Sequence, residues 1–158
     1  MNDADVLARL SELGHELPTP TAPMAAYVPC VISGTAAYVA GQVPFVDGKV
    51  LHPGLLGDTV TVEQGAEAAA KAALQVLAVL RDALGGSFER LVRIVQVGVF
   101  VAATPAFTEH PKVGNGASEL LVAALGEAGK HARAAVGMAS LPLGASVEVT
   151  VIAEVTPA

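Results

Sequence analysis

The 158-residue sequence predicts an α+β protein, with one mixed sheet and helices packed on one face of it. Two observations support this fold class. First, residues 147–155 are apolar at every odd position, which is the period of a strand with one face in a core. Second, the predicted elements follow one another as a hairpin, a long helix, a strand, a helix and two final strands.

The N-terminal segment, residues 1–26, is predicted to be a short helix and a proline-rich loop that precede the sheet. Apolar residues recur at helical spacing over 3–13, with Asp3 as the expected N-cap and Gly14 as the stop. Four prolines then predict an extended loop that ends near Tyr27. A chain of this length can bury a core without disulfides, so we interpret 1–158 as a single domain.

The first strands are predicted as a hairpin. Residues 31–33 and 36–40 flank a turn at Gly34-Thr35, and Asp47-Gly48 marks a further break. Residues 49–60 have no strong period and are rich in turn residues, which is typical of a loop that borders a site.

The longest predicted helix begins at Thr61, where Gln64 three residues later makes a capping box, and it ends at Gly85-Gly86. An apolar run at 91–101 then predicts a central strand covered by helices. A second helix is expected over 113–125 and ends at the glycines that follow.

Composition limits the classes of partner. A formal charge of −6 with nine Lys plus Arg is a poor match for a polyanion, so nucleic acid is disfavoured. The sequence is 53% hydrophobic with no Trp, which predicts an interior of Ala, Val and Leu and apolar surface left over for an oligomer. Cys30 is the single cysteine, which excludes an intramolecular disulfide.

The N-terminus favours a cytoplasmic location over secretion. Asp3 and Asp5 stand where a signal peptide carries positive charge, and polar residues interrupt the longest apolar runs. We therefore expect a soluble, cytoplasmic protein without a membrane partner.

Motifs for several kinds of chemistry are missing from the sequence. The four histidines show no metal-ligand spacing, and neither a phosphate loop nor a Gly-x-Ser-x-Gly motif is present. The sequence therefore implies no metal and no cofactor.

Two ionic residues near the C-terminus are the main candidates for a site. Arg133 begins one predicted strand and Glu148 begins the next. We expect these strands to pair and to bring a cation and a carboxylate together, as a site for a small anion and a water molecule.

The sequence around these residues resembles the C-terminal signature of the YjgF/RidA family of small enamine/imine deaminases. The resemblance rests on Ala132-Arg133, Leu141-Pro142, Gly144 and Val147-Glu148-Val149, and it extends upstream through Tyr27, Gly41-Gln42-Val43-Pro44 and Asn115. It implies a chorismate-mutase-like fold, assembled as a homotrimer with clefts between subunits.

The resemblance also implies a role for each site residue. Arg133 is expected to grip a substrate carboxylate with its planar fork, and Glu148 to hold the attacking water. Substrate-binding roles are implied for Tyr27, for Asn115, for the backbone N–H of Gly41 and for the main-chain carbonyl of Ala135. Among the histidines, His131 is expected to line the cleft beside Arg133.

Two functions follow from the resemblance and from the departures from it. The first is hydrolytic deamination of 2-aminoacrylate-like 2-imino acids to 2-keto acids and ammonia. The second is a non-catalytic trimeric module that binds small carboxylates, because Ala135 replaces a frequent cysteine and Thr150 a frequent glutamate. A ribonuclease fits poorly with the acidic charge and the scarce aromatic residues.

Overall fold

The computed structural model describes residues 1–20 and 26–157. In chain order its elements are α1 (Asp3–Glu12), β1 (Cys30–Ser33), β2 (Ala36–Gln42), β3 (Phe45–Val46), β4 (Lys49–Val50), α2 (Val62–Ala83), β5 (Leu91–Ala102), α3 (His110–Leu125), β6 (Ala132–Met138) and β7 (Val147–Val155). Short 3₁₀ turns lie at Gly126–Gly129 and Pro142–Gly144.

Five strands form the main sheet in the order β1-β2-β7-β5-β6. The β5–β6 pair is parallel and the other pairs are antiparallel. Both α2 and α3 pack on one face, where the odd-numbered residues of β7 are buried. The opposite face, here called the open face, carries no helix within the described part of the chain. The predicted α+β class, with a mixed sheet and helices on one face, is confirmed.

The predicted pairing of the last two strands is wrong. β5 lies between β6 and β7, so Arg133 pairs with Val97 of β5 and Glu148 pairs with Phe100. The reason is topological: α3 connects β5 to β6 as a crossover, which allows these two strands to pair in parallel. β7 then pairs antiparallel on the other side of β5.

The long helix is the element that the sequence predicted best. The hydroxyl of Thr61 accepts from the N–H of Gln64 at 3.2 Å, and the Gln64 side chain accepts from the N–H of Thr61 at 3.0 Å. This reciprocal capping box satisfies two backbone donors that the first helical turn leaves free.

The other helices differ from prediction at their starts. Asn2, and not Asp3, caps α1, since its side chain accepts from the N–H of Ala4 at 2.9 Å. α3 begins three residues earlier than expected, at His110, because Pro111 fits the first helical turn, where its missing N–H costs nothing.

The predicted hairpin is confirmed as β1 and β2, joined through Gly34. A second hairpin, β3–β4, turns at Asp47-Gly48, and both turn residues have positive φ. Its strand β4 therefore occupies the first two residues of the predicted 49–60 loop. Of the predicted proline-rich loop, residues 21–25 lie outside the described residues.

The core consists of small and aliphatic side chains, as the composition predicts, with Phe88 and Ile94 in addition. Val6 and Leu10 of α1 are fully buried in this same core. Within the described residues, no helix has the length and apolar character needed to cross a membrane.

Candidate functional site

Arg133 lies on the helix-facing side of β6, the edge strand, and its guanidinium group contacts α3. Nη1 donates to Asn115 Oδ1 at 3.1 Å and to Ser118 Oγ at 2.9 Å, and Nη2 donates to the carbonyl of Pro111 at 3.2 Å. The predicted neighbours Arg133 and Asn115 are therefore brought together. The side chain is held on three acceptors instead of extending freely into solvent.

The spacing of the acceptors on α3 explains this geometry. Pro111, Asn115 and Ser118 are four and three residues apart, so they lie along one helix face. Gly114 leaves room between them, because a Cβ there would lie 3.3 Å from Cζ of Arg133. Our sequence reasoning missed Pro111 and Ser118, and their helical spacing from Asn115 is the signal that identifies them.

The contacts of Arg133 leave one edge of the guanidinium available. An arginine has five N–H donors, and three of them are used within the described residues. The Nε–H and one Nη2–H remain, and a planar pair of N–H donors matches the two oxygens of a carboxylate. The two remaining N–H donors of Arg133 lie outside its contacts with α3.

Ala135 and His131 also lie near Arg133. The methyl group of Ala135 lies 3.4 Å from the position that a Cβ on Gly114 would take, on the same side of β6 as Arg133. His131 Nε2 is 2.9 Å from the Ser118 Oγ that accepts from Arg133. His131 therefore reaches Arg133 through Ser118, and its expected place in the lining of a cleft stays a prediction.

Glu148 lies on the open face, on the other side of the sheet from Arg133. Even-numbered residues of β7 face away from the helices, and Glu148 pairs with Phe100 across that face. Its carboxylate lies against Gly41, where a Cβ would collide with Oε1. Partial burial raises the pKa of Glu148 above its ordinary value, which suits a group that accepts protons or holds a water molecule.

Tyr27 is close in the chain to the strand pair that contains Gly41. It precedes β1, the edge strand farthest from β6, and Pro29 accepts a backbone hydrogen bond from Ala40 at 2.9 Å. Its side chain is 52% exposed.

The predicted site residues therefore form two groups in one protomer. The first, here called the arginine group, lies at the β6 edge with α3, and the second, the glutamate group, lies where β2 meets β7. The members are Arg133, Asn115 and Ala135 in the arginine group and Glu148 and Gly41 in the glutamate group. Tyr27, in the segment before β1, is assigned to neither group.

A hollow of about 430 Å³ lies at the start of β6, where His131 and Ala132 line it, and neither Arg133 nor Glu148 does. Its charged lining residues are Arg93, Lys130 and Glu154. Among residues 1–20 and 26–157, no cluster of His, Cys, Asp and Glu is suited to hold a metal ion.

The open face is rich in exposed apolar side chains. Val31 and Tyr38 pair across β1 and β2 and are each about half exposed, and Val136 on β6 is 45% exposed. Monomeric proteins rarely leave a broad apolar sheet face in water. The composition predicted such a surface for a partner chain.

Comparison with protein-family models gives one family for this chain. The family described as "YjgF/chorismate mutase-like, putative endoribonuclease" matches residues 7–155. The match includes every predicted site residue and the second half of α1.

Individual relatives agree with this match. Protein TCP17 of Trypanosoma cruzi is 45% identical over 150 residues, which are 94% of this chain and 93% of that protein. A crystal structure of a protein of unknown function from Agrobacterium tumefaciens has 45% identity and a TM-score of 0.92, covering 97% of this chain and 94% of the other. One from Shewanella oneidensis, described as a putative endoribonuclease, has 35% identity and a TM-score of 0.91, covering 95% and 99%.

Proposed function

Because this chain belongs to the YjgF/chorismate mutase-like family, we propose that it hydrolyses reactive enamines and imines of the 2-aminoacrylate type to 2-keto acids and ammonia. The observation that carries the proposal is the restrained guanidinium of Arg133, which offers a free pair of N–H donors at an edge strand. A 2-imino acid has the carboxylate that such a pair binds.

In the proposed reaction, Arg133 holds the substrate carboxylate and so fixes the adjacent C=N carbon. Glu148 holds a water molecule and accepts one of its protons as the water oxygen adds to that carbon. Glu148 returns that proton to the nitrogen, which gives the neutral carbinolamine. The hydroxyl proton of the carbinolamine then passes to the nitrogen by way of Glu148 as the C=O bond forms and the C–N bond breaks, so the nitrogen leaves as ammonia. The reaction consumes one imino acid and one water, and it releases one keto acid and one ammonia.

The two groups of site residues need a second copy of the chain in order to act on one small substrate. In a cyclic assembly, each subunit presents one surface to the next subunit and a different surface to the previous one. Such a ring places the arginine group of one protomer against the glutamate group of its neighbour. The exposed apolar side chains of the open face supply surface for the assembly, and we propose that the ring is a homotrimer.

The raised pKa of Glu148 supports its role. A carboxylate at its ordinary pKa is a weak base at neutral pH, and partial burial makes the group a better proton acceptor. Glu148 also makes no hydrogen bond to another described residue, which leaves both carboxylate oxygens for water.

The direct test is ammonia release from 2-aminoacrylate generated enzymatically in the assay. We expect wild type to accelerate ammonia release and Arg133→Ala to lose about a hundredfold in kcat/KM, since hydrogen bonds to charged groups each contribute about 1.5–3 kcal/mol. Arg90→Ala is the matched control, because Arg90 is bonded only to the carbonyl of Thr156 among the described residues. Equal rates for wild type and Arg133→Ala would contradict the proposal.

A second candidate function is binding of small carboxylates without turnover. The observation that favours it is Ala135, which places a methyl group beside Gly114 where relatives often have a thiol. Calorimetry with 2-ketobutyrate separates the two functions. Binding without imine hydrolysis above the solution rate would leave only the binding function.

A further inference from the structure

A chain of hydrogen bonds runs from the backbone at the end of the Gly126–Gly129 turn to the guanidinium of Arg133. His131 Nδ1 is 2.6 Å from the carbonyl of Gly129, and His131 Nε2 is 2.9 Å from Ser118 Oγ. Ser118 Oγ then accepts from Arg133 Nη1 at 2.9 Å. Two contacts thus connect His131 to Arg133, and a third joins His131 to the backbone at Gly129.

The Gly129 carbonyl, at the start of this series of hydrogen bonds, determines which group donates in each bond. A carbonyl only accepts, so Nδ1 of His131 carries the hydrogen, and in the neutral ring Nε2 has a lone pair. The hydroxyl of Ser118 therefore donates to His131. Both lone pairs of the Ser118 oxygen then remain as acceptors, and one of them faces Arg133.

The Gly129 carbonyl is itself fixed in position. Gly129 is buried and packs directly on the backbone of α3, where a Cβ would lie within 2.8 Å of Val122 Cα. The Gly129 carbonyl and Ser118 are therefore both anchored to the same helix, and His131 bridges them. This bridge restricts the Ser118 rotamer, because the hydroxyl can donate to Nε2 of His131 in only one orientation.

We infer that His131 is a positioning residue for carboxylate recognition, acting through Ser118 on Arg133. This inference rests on the proposed function for its catalytic consequence. A free arginine side chain has rotamer entropy, which a binding event must overcome unless the side chain is already held in place. His131 and Ser118 hold Nη1 in place, so the free Nε–H and Nη2–H keep a constant direction toward the substrate.

The test compares two replacements of His131 that differ in reach. His131→Gln places an amide oxygen near the position of Nε2, so it can still accept from Ser118. His131→Asn has an amide near Nδ1, so it keeps the Gly129 bond and loses the acceptor for Ser118. We expect His131→Asn and Ser118→Ala each to raise KM about tenfold for a 2-imino acid with kcat little changed, and His131→Gln to stay near wild type.

Two further arms separate positioning from a general structural effect. An imine substrate without a carboxylate should show no change in KM for any of these variants. The double variant His131→Asn/Ser118→Ala should be no worse than either single variant, because both changes break the same chain. His15→Gln, which alters a histidine that contacts Lys71 on α2, is the matched control and should leave KM unchanged.

A measurement without turnover tests the inference independently of the deaminase function. Nitrogen-15 NMR reports the tautomer of His131 and the rotation rate of the Arg133 guanidinium group. Wild type should show an Nδ1–H ring and slow guanidinium rotation, His131→Gln should keep slow rotation, and His131→Asn should show faster rotation. Equal rotation rates in wild type and His131→Asn, an unchanged KM in His131→Asn, or a hundredfold KM rise in the double variant would each overturn the inference. Absence of imine hydrolysis in wild type would instead refute the proposed function and leave the NMR comparison to decide on positioning.

Discussion

Arg133 and Glu148 lie on opposite faces of the same sheet, with β5 between the strands that carry them. Their strands are two strand spacings apart, or about 10 Å, the register offsets the two residues by three further positions along the strands, and their side chains point in opposite directions. One small imino acid cannot contact both side chains of the same protomer. If the two residues serve one reaction, they belong to different copies of the chain.

The contact between Gly41 and Glu148 gives the first prediction. A Cβ at residue 41 would collide with Glu148 Oε1, and the backbone there does not have the positive φ that would itself exclude alanine. Gly41→Ala should therefore fold normally and displace the Glu148 carboxylate. We expect at least a tenfold loss of kcat, measured as ammonia release, with an unchanged circular dichroism spectrum. Full activity in the folded variant would show that the carboxylate position is not needed.

Partial burial of Glu148 predicts a pH-dependent stability. Its pKa in the folded protein is raised above the ordinary value of 4.5, so its contribution to stability is fully present below that value and is lost as the pH rises through the raised pKa. Glu148→Gln should therefore be more stable than wild type at pH 7, and this advantage should disappear near pH 4. Thermal unfolding at both pH values measures this difference.

The matched control for this prediction is Glu154→Gln. Glu154 is on the same strand and the same face, but it is exposed. We expect its substitution to leave the melting temperature nearly unchanged at both pH values. A Glu148→Gln variant that is less stable than wild type at pH 7 would mean that the carboxylate is stabilised by a partner.

The N-terminal helix is held by an ion pair that predicts a further stability effect. Asp3 accepts from Nε and Nη2 of Arg81 at 2.9 and 2.8 Å, and also from the N–H of Phe88. Asp3→Ala should lower the free energy of unfolding by about 2 kcal/mol, which is about 4–8 °C in Tm for a chain of this size. Asp5→Ala, at an exposed position on the same helix, should change Tm by much less.

The same ion pair has the opposite pH dependence from Glu148. The hydrogen bond from Arg81 is the main cause of the lowered pKa of Asp3, so its stabilisation is present above the ordinary value of 3.8 and is lost as the pH falls through the lowered pKa. The gap in Tm between wild type and Asp3→Ala should therefore shrink in acid. A constant gap down to pH 2 would assign the effect to packing.

Secondary-structure elements that depend on residues close together in the sequence could be predicted from it. The capping box of α2 and the alternation of β7 depend on residues that are close together in the chain, so their patterns suffice. The partner of β6 could not be found in this way, because a strand pattern defines which face is buried and not which strand lies alongside. The helix between β5 and β6 was the available signal for parallel pairing.

In the candidate site, too, the sequence predicted the residues but not their arrangement in space. The sequence identified Arg133, Glu148 and Asn115 by resemblance, but it placed Arg133 and Glu148 side by side because their strands are neighbours in the chain. Side-chain direction depends on sheet order and register, which are long-range properties. Ser118 was missed because a lone helical serine has no distinguishing pattern until its distance to Arg133 is known.

The most direct test of a site shared between subunits is complementation between two inactive variants. Arg133→Ala still supplies Glu148, and Glu148→Gln still supplies Arg133. If each site takes one residue from each of two neighbouring protomers, an equal mixture that is unfolded and refolded together should recover about a quarter of wild-type activity, because about one site in four combines the two intact residues. Activity no greater than that of the separate variants, in a mixture shown by native mass spectrometry to contain mixed oligomers, would contradict the shared site.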